Sequence, residues 1–286
     1  AWATGSSEKA VYDLIERVTP GYASQYRLEI IPSENGNDVY EVDGDGQKII
    51  LRGNNAVSLA TAFNWYLKYT CHAHVSWFGN QLELPEKLPQ PAHKERRIIN
   101  GKYRVYMNYC TVSYTAAWWN WERWQQELDY MAMNAINMPL FSVGLDGVWY
   151  NTLLRFNFTE EEARAFLTGP GHSAWQWMQN IQSYGGPLPK SVIDKHVALG
   201  KKILARQLEL GMQPIQQGFS GYVPRELQKK YPQAKISMKR KWCGFDGTAQ
   251  LDPTDPLFHE MGLAFLEEQD KLFGSYGAYA ADPFHE

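Results

Sequence analysis

The sequence has few cysteines. Cys71, Cys110 and Cys243 are an odd number without close spacing, which excludes a disulfide framework. No apolar run approaches the roughly 18 residues that a membrane-spanning helix needs, so membrane insertion is not expected. Charge of one sign is also missing. The net charge of −3 argues against a general nucleic-acid or membrane-surface binder. No glycine-rich phosphate turn follows the first strand-like run of the long α/β region, which reads MNYCTVSY at residues 107–114. The first ten residues, AWATGSSEKA, carry no basic or apolar region of a signal peptide, although AWA fits the remnant of a small-residue cleavage site. Cys71, His72 and His74 cluster without matching a closed zinc pattern, and DGDG at 43–46 reads as a hairpin turn without the later ligands of a calcium loop. No metal and no cofactor is expected.

Aromatic residues are abundant. There are 11 Trp, 17 Tyr and 12 Phe, 14% of the chain. Two readings fit that composition: a large aromatic core, or a carbohydrate site in which ring faces stack on the apolar C–H faces of sugars.

The 286 residues suggest two units. Helical spacing over 8–18, strands at YRLEII, DVYEV and KIILR, a helix over 54–70 capped by Asn54 or Asn55, and a short strand HVSWFG (74–79) make 1–85 a small α/β domain. Residues 86–95, rich in proline and charge, read as a linker. From 96 to 286 strands alternate with long helices. The strands are expected at 103–110, 135–143, 212–221 and 278–282, and the helices at 118–134, 191–211 and 255–274. TEEEAR (159–164) reads as a capped helix start and KISMKRKW (235–242) as a solvated loop. His196 and His259 read as surface or packing residues of helices. This alternation implies parallel strands covered by helices. The polar and aromatic strand ends favour the first half of a (β/α)8 TIM-type barrel over a doubly wound sheet. The 191 residues from 96 to 286 fall short of the about 250 that a full barrel takes, so the chain is expected to be the N-terminal portion of a longer protein.

The stretch YRVYMNYCTVSYTAAWWNWERWQQELDYMAMNAIN (103–137) resembles the α-N-acetylglucosaminidases of glycoside hydrolase family 89. FLTGPGHSAWQWM (166–178), GGPLPKSVI (185–193), FSGYVPREL (219–227) and ADPFHE (281–286) extend the resemblance along nearly the whole chain. It implies an exo-acting, retaining glycosidase that releases terminal α-linked N-acetylglucosamine from glycans, without cofactor, in an extracytoplasmic compartment. It implies that Glu286 is the general acid/base and that the nucleophile is a second glutamate more than a hundred residues beyond residue 286. It also implies a sugar pocket lined by Asn108, Cys110 and Trp175, with Tyr114 in the same motif. Taken alone, Glu286 would pass for a surface carboxylate, Cys110 for a small buried thiol and Trp175 for a packing residue. The family usually carries GQE-(any)-(Val or Ile)-Trp after the second barrel strand, where this chain reads GLDGVW (144–149). Leu145 in place of an amide removes donors and an acceptor. That departure motivates a second reading, a non-catalytic glycan-binding relative that keeps the aromatic pocket.

Overall fold

The structure, a computed structural model, describes residues 6–282. The chain forms two compact units. The first comprises Ala1–Tyr106, Glu122–Pro139 and Ala205–Gln213, and the second comprises Met107–Trp121, Leu140–Leu204 and Pro214–Glu286.

In the first unit, α1 (Ser6–Val18) buries Val11, Leu14 and Ile15, the stripe that its 3.6-residue period sets on one face. Strands β1 (Tyr26–Ile30), β2 (Asp38–Gly44), β3 (Ile49–Gly53) and β4 (Glu95–Ile99) build a sheet in the order β1-β3-β2-β4. The β1–β3 pair is parallel; β2 runs antiparallel to both β3 and β4. Helix α2 (Ala56–Tyr69) lies against this sheet. Asn55 starts it by accepting the Ser58 N–H at 2.9 Å. A Cβ on Gly53 would sit 2.8 Å from the Leu59 nitrogen, so the close approach of α2 to β3 requires glycine there. Tyr26 meets Phe63 and Tyr66 edge-on at 5.6 and 5.7 Å in the core.

Two expectations in this unit need correction. The run HVSWFG is a turn and not a strand. It is closed by the His74–Gln81 backbone bonds at 2.9 Å and held by the Trp77 indole N–H, which donates to Glu127 at 3.1 Å. Conversely β4 was not signalled, because three of its five residues are charged and hydrophobic periodicity cannot see it. Its cations are used in the sheet. Arg96, Lys94 and Arg52 surround Glu41, whose carboxylate is buried. Burial works against ionisation of Glu41, yet those three partners hold its carboxyl below the usual range.

The same unit contains the first barrel-type pair, β5 (Val105–Tyr106) and β6 (Met138–Pro139), which run parallel. Between them lies α4 (Trp121–Met133), which buries Trp124, Leu128 and Met131 as the i, i+4, i+7 stripe demands. Ala135, with φ 65, ends it in the left-handed region.

In the second unit, Leu140 bridges Ile215 in parallel. Strands β7 (Gln216–Gln217) and β11 (Tyr279–Ala280) then pair in parallel. Among the described residues, each parallel barrel-type pairing joins one barrel strand to the next barrel strand along the chain with helices between, which is the (β/α) repetition of a half-barrel. The strands are much shorter than the expected runs. Met107, with φ 67, breaks the first, and α3 (Tyr109–Tyr114) begins where a strand was expected to continue.

The remaining helices are α5 (Leu145–Leu154), α6 (Glu160–Phe166), α7 (Ser173–Trp177), α8 (Lys190–Glu209), α9 (Leu227–Lys230) and α10 (Pro256–Phe273). Thr159 and Glu162 form a full capping box at the start of α6, as TEEEAR suggests. Between β7 and α10 the chain makes a small antiparallel sheet in the order β8 (Tyr222–Val223), β10 (Ala249–Leu251), β9 (Ile236–Met238). Trp149 centres the core, with its ring 5.0 Å from that of Phe265, 5.5 Å from Phe166 and 5.9 Å from Tyr222. At Gly144, φ is 99° and a Cβ would lie 2.6 Å from Phe273, so both backbone and space exclude a side chain.

Candidate active site

The second unit gathers polar groups where β7 and β11 end and α3 begins. Tyr109, the first residue of α3, donates its hydroxyl to Gln217 Oε1 at the end of β7. Asp282 lies two residues beyond β11. Burial, reinforced by the negative charge of Asp282, pushes the Tyr109 phenol well above its ordinary range. Lys239 belongs to the same group. It donates to Gln179 Oε1 at 3.3 Å; burial pushes its pKa down, and the charge of Asp282 opposes that. Gln179 in turn donates to Ser220 Oγ, and its carbonyl accepts from Thr248 Oγ1 at 2.7 Å. Gln179 (φ 71) and Met107 (φ 67) are non-glycine residues in the left-handed region, the kind of backbone strain that concentrates at functional sites.

Four expected site residues fall in this unit. Asn108 is exposed and caps α3, its Oδ1 accepting from Thr111 N at 2.9 Å and Thr111 Oγ1 at 2.8 Å. Its amide nitrogen makes no hydrogen bond among the described residues and remains a donor for a ligand. Cys110 is half-buried with its Sγ 3.9 Å from Met178 Sδ. Trp175 on α7 is half-buried and meets Tyr114 edge-on at 5.0 Å; Tyr114 is 76% exposed. The Ser113 hydroxyl ties α3 to α7 by accepting the Ala174 N–H at 2.9 Å. Glu286 lies outside the described residues, and its motif enters the described structure only through Ala281 and Asp282.

Sequence reasoning missed Gln179, Gln217 and Lys239. Gln217 closes a strand, a position where barrel enzymes keep functional residues, and that signal was available. Lys239 was hidden inside the basic run KISMKRKW. The run is not the solvated loop expected: it holds β9 (Ile236–Met238), and just past it Lys239 is half-buried and reaches Gln179, while Lys241 stays exposed with Asp246 at 3.5 Å.

The departure GLDGVW also has a structural answer. Leu145 is 3% exposed and Asp146 is 5% exposed at the start of α5. The Asp146 carboxylate meets His196 Nδ1 of α8 at 2.5 Å. His196 is therefore neither a surface residue nor simple packing; it is the partner of a buried carboxylate.

Helix-covered parallel strands with polar and aromatic groups at their carboxyl ends are the marks of the (β/α)8 class of enzyme folds. Residues 104–286 match the alpha-N-acetylglucosaminidase (NAGLU) tim-barrel domain, and residues 9–90 match the NAGLU N-terminal domain. The human alpha-N-acetylglucosaminidase is 35% identical over 286 residues, covering 97% of this chain and 38% of that protein. A family 89 glycoside hydrolase from Clostridium perfringens, solved with 2-acetamido-1,2-dideoxynojirimycin, superposes with a TM-score of 0.94 at 34% identity, over 98% of this chain and 33% of its own. A form of the C. perfringens protein with two Glu-to-Gln substitutions, solved in complex with its substrate GlcNAc-α-1,4-galactose, matches equally well. A family 20 exo-β-N-acetylglucosaminidase from Vibrio harveyi, at 13% identity and TM-score 0.51, shares the fold alone. The chain belongs to the α-N-acetylglucosaminidase family, glycoside hydrolase family 89. It comprises that family's N-terminal domain and the first half of its barrel, and spans little more than a third of the curated relative's length.

Proposed function

We propose that this chain carries the acid/base half of a retaining, exo-acting glycoside hydrolase that releases terminal α-linked N-acetylglucosamine from glycans. In this reading Glu286 protonates the glycosidic oxygen and then takes a proton from water. The nucleophilic carboxylate comes from residues beyond 286 and stands about 5–5.5 Å away, as retention requires. Asn108, Cys110, Trp175 and Tyr114 hold the sugar, and no metal or cofactor takes part. The same reading places the protein outside the cytoplasm. It divides the chain into an N-terminal domain (1–85), a linker (86–95) and the barrel (96–286), with β4 returning to the N-terminal sheet.

The observation that carries this is the junction of Tyr109, Gln217 and Asp282. It brings the start of the ADPFHE motif beside the segment that bears Asn108 and Cys110. The binding-only alternative drew its support from GLDGVW. The buried Asp146–His196 contact weakens that support in part, because the shortened carboxylate is satisfied inside the helical layer.

The test uses Glu286→Gln in a polypeptide that includes the remaining barrel strands. With an α-N-acetylglucosaminide of poor leaving ability, turnover should fall by about 100-fold or more. Undiminished turnover refutes the assignment, and a parent protein that binds the sugar without cleaving it favours the binding relative.

A further inference from the structure

Beyond the expected pocket, the second unit carries a row of ring contacts. The row starts at Trp175, whose ring centre lies 6.2 Å from that of His172. His172 meets Tyr184 edge-on at 4.6 Å, and Tyr184 meets Phe245 edge-on at 4.9 Å. Phe245 stacks towards Trp242 at 6.3 Å with 25° between the ring planes. Five rings thus link three loops, and none is buried. His172 and Tyr184 are exposed; Trp175, Phe245 and Trp242 are half-buried. Single exposed aromatic side chains are ordinary, but a contiguous row marks a contact surface.

The loops that carry the outer rings are held in costly backbone. Tyr184 sits between Ser183 (φ 64) and Gly185 (φ 73). Trp242 and Phe245 close a two-residue turn with reciprocal backbone bonds of 3.1 and 2.8 Å. Its central residues, Cys243 and Gly244, have φ 47 and 84. A non-glycine residue in that region costs free energy and persists only where its surroundings enforce it. The Gly169 N–H donates to the Tyr184 carbonyl at 2.8 Å, which ties the Tyr184 loop to the one that bears His172. The rings are therefore placed before any ligand arrives, which lowers the entropic cost of binding.

We propose that His172, Tyr184 and Phe245 form a stacking platform for the sugars on the leaving-group side of the terminal N-acetylglucosamine, so that the preferred substrate is an oligosaccharide chain and not a small glycoside. This rests on the glycosidase reading above. A pyranose ring presents an apolar C–H face edged by hydroxyls, which suits half-exposed rings bordered by water. The row is continuous with Trp175, so a chain whose end fills the pocket would be led along it.

The experiment uses the polypeptide with the complete barrel and two substrates. One is α-N-acetylglucosaminyl fluoride, which has no sugar on the leaving side. The other is a tetrasaccharide in which α-1,4-linked N-acetylglucosamine caps three galactose residues. Y184A and F245A are each expected to lower kcat/KM for the tetrasaccharide about fivefold more than for the fluoride. Y184F keeps the ring and should keep the selectivity, which separates stacking from a folding defect. Equal losses on both substrates, or no loss on either, overturn the proposal. Where neither substrate is cleaved, the glycosidase reading fails and titration calorimetry with the tetrasaccharide decides about the platform. A loss of affinity in Y184A and F245A that Y184F restores supports it. Unchanged affinity, or no binding by the parent protein, overturns it.

Discussion

A buried carboxylate needs a partner, and Asp146 has one in His196 at 2.5 Å. Burial lowers the basicity of His196, but the hydrogen bond and the charge of Asp146 outweigh it and leave the pKa raised above 6.5. A histidine pKa raised on folding contributes stability that is complete below the unfolded value and vanishes as pH rises through the folded one. His196→Gln should therefore lower the unfolding midpoint most near pH 5.5 and progressively less above neutrality. A midpoint difference that grows with pH would contradict the pair. Asn108 acts at the same scale in two ways, as helix cap and as free donor. Asn108→Asp keeps the cap and removes the amide donor. It should leave the melting temperature within a few degrees, and, if the proposed glycosidase reading holds, raise KM for an α-N-acetylglucosaminide in a polypeptide with the complete barrel, as steady-state kinetics will read.

Elements depend on caps and on close approaches. At α6 the Thr159–Glu162 capping box satisfies two orphan backbone donors, and Thr159→Ala should cost about 1 kcal/mol in urea unfolding. At the β3–α2 contact there is no room for one carbon. Gly53→Ala must displace the backbone near Leu59 and should cost about 1–3 kcal/mol. The aromatic cores make up the rest of each unit. Trp149→Ala removes the ring that Phe166, Tyr222 and Phe265 enclose and should cost about 3–5 kcal/mol, read by the same denaturation curve. The long helices α4, α8 and α10 were legible because a long amphipathic period averages over many residues, whereas α5, buried along most of its length, was not read as a helix. The barrel strands were located but greatly overestimated in length. A run such as YRVYMNYC has strand propensity throughout, while the turn at Met107 depends on contacts that propensity does not contain.

For the molecule as a whole, sequence alone determined the fold class and the family. These follow from local patterns: composition, the order of strand-like and helix-like periods, and long tryptophan-rich stretches that keep their spacing. What only the tertiary structure decided is which distant residues meet. Lys239 reaches Gln179, Tyr109 reaches Gln217 beside Asp282, and Asp146 reaches His196, each across at least fifty residues of chain. The direction of a side chain at a loop or strand end depends on one or two backbone angles and on what packs behind it. Neither leaves a periodic trace in a single sequence. The basic run at 235–242 makes the point, since an exposed Lys241 and an inward Lys239 stand two residues apart and only the folded sheet tells them apart.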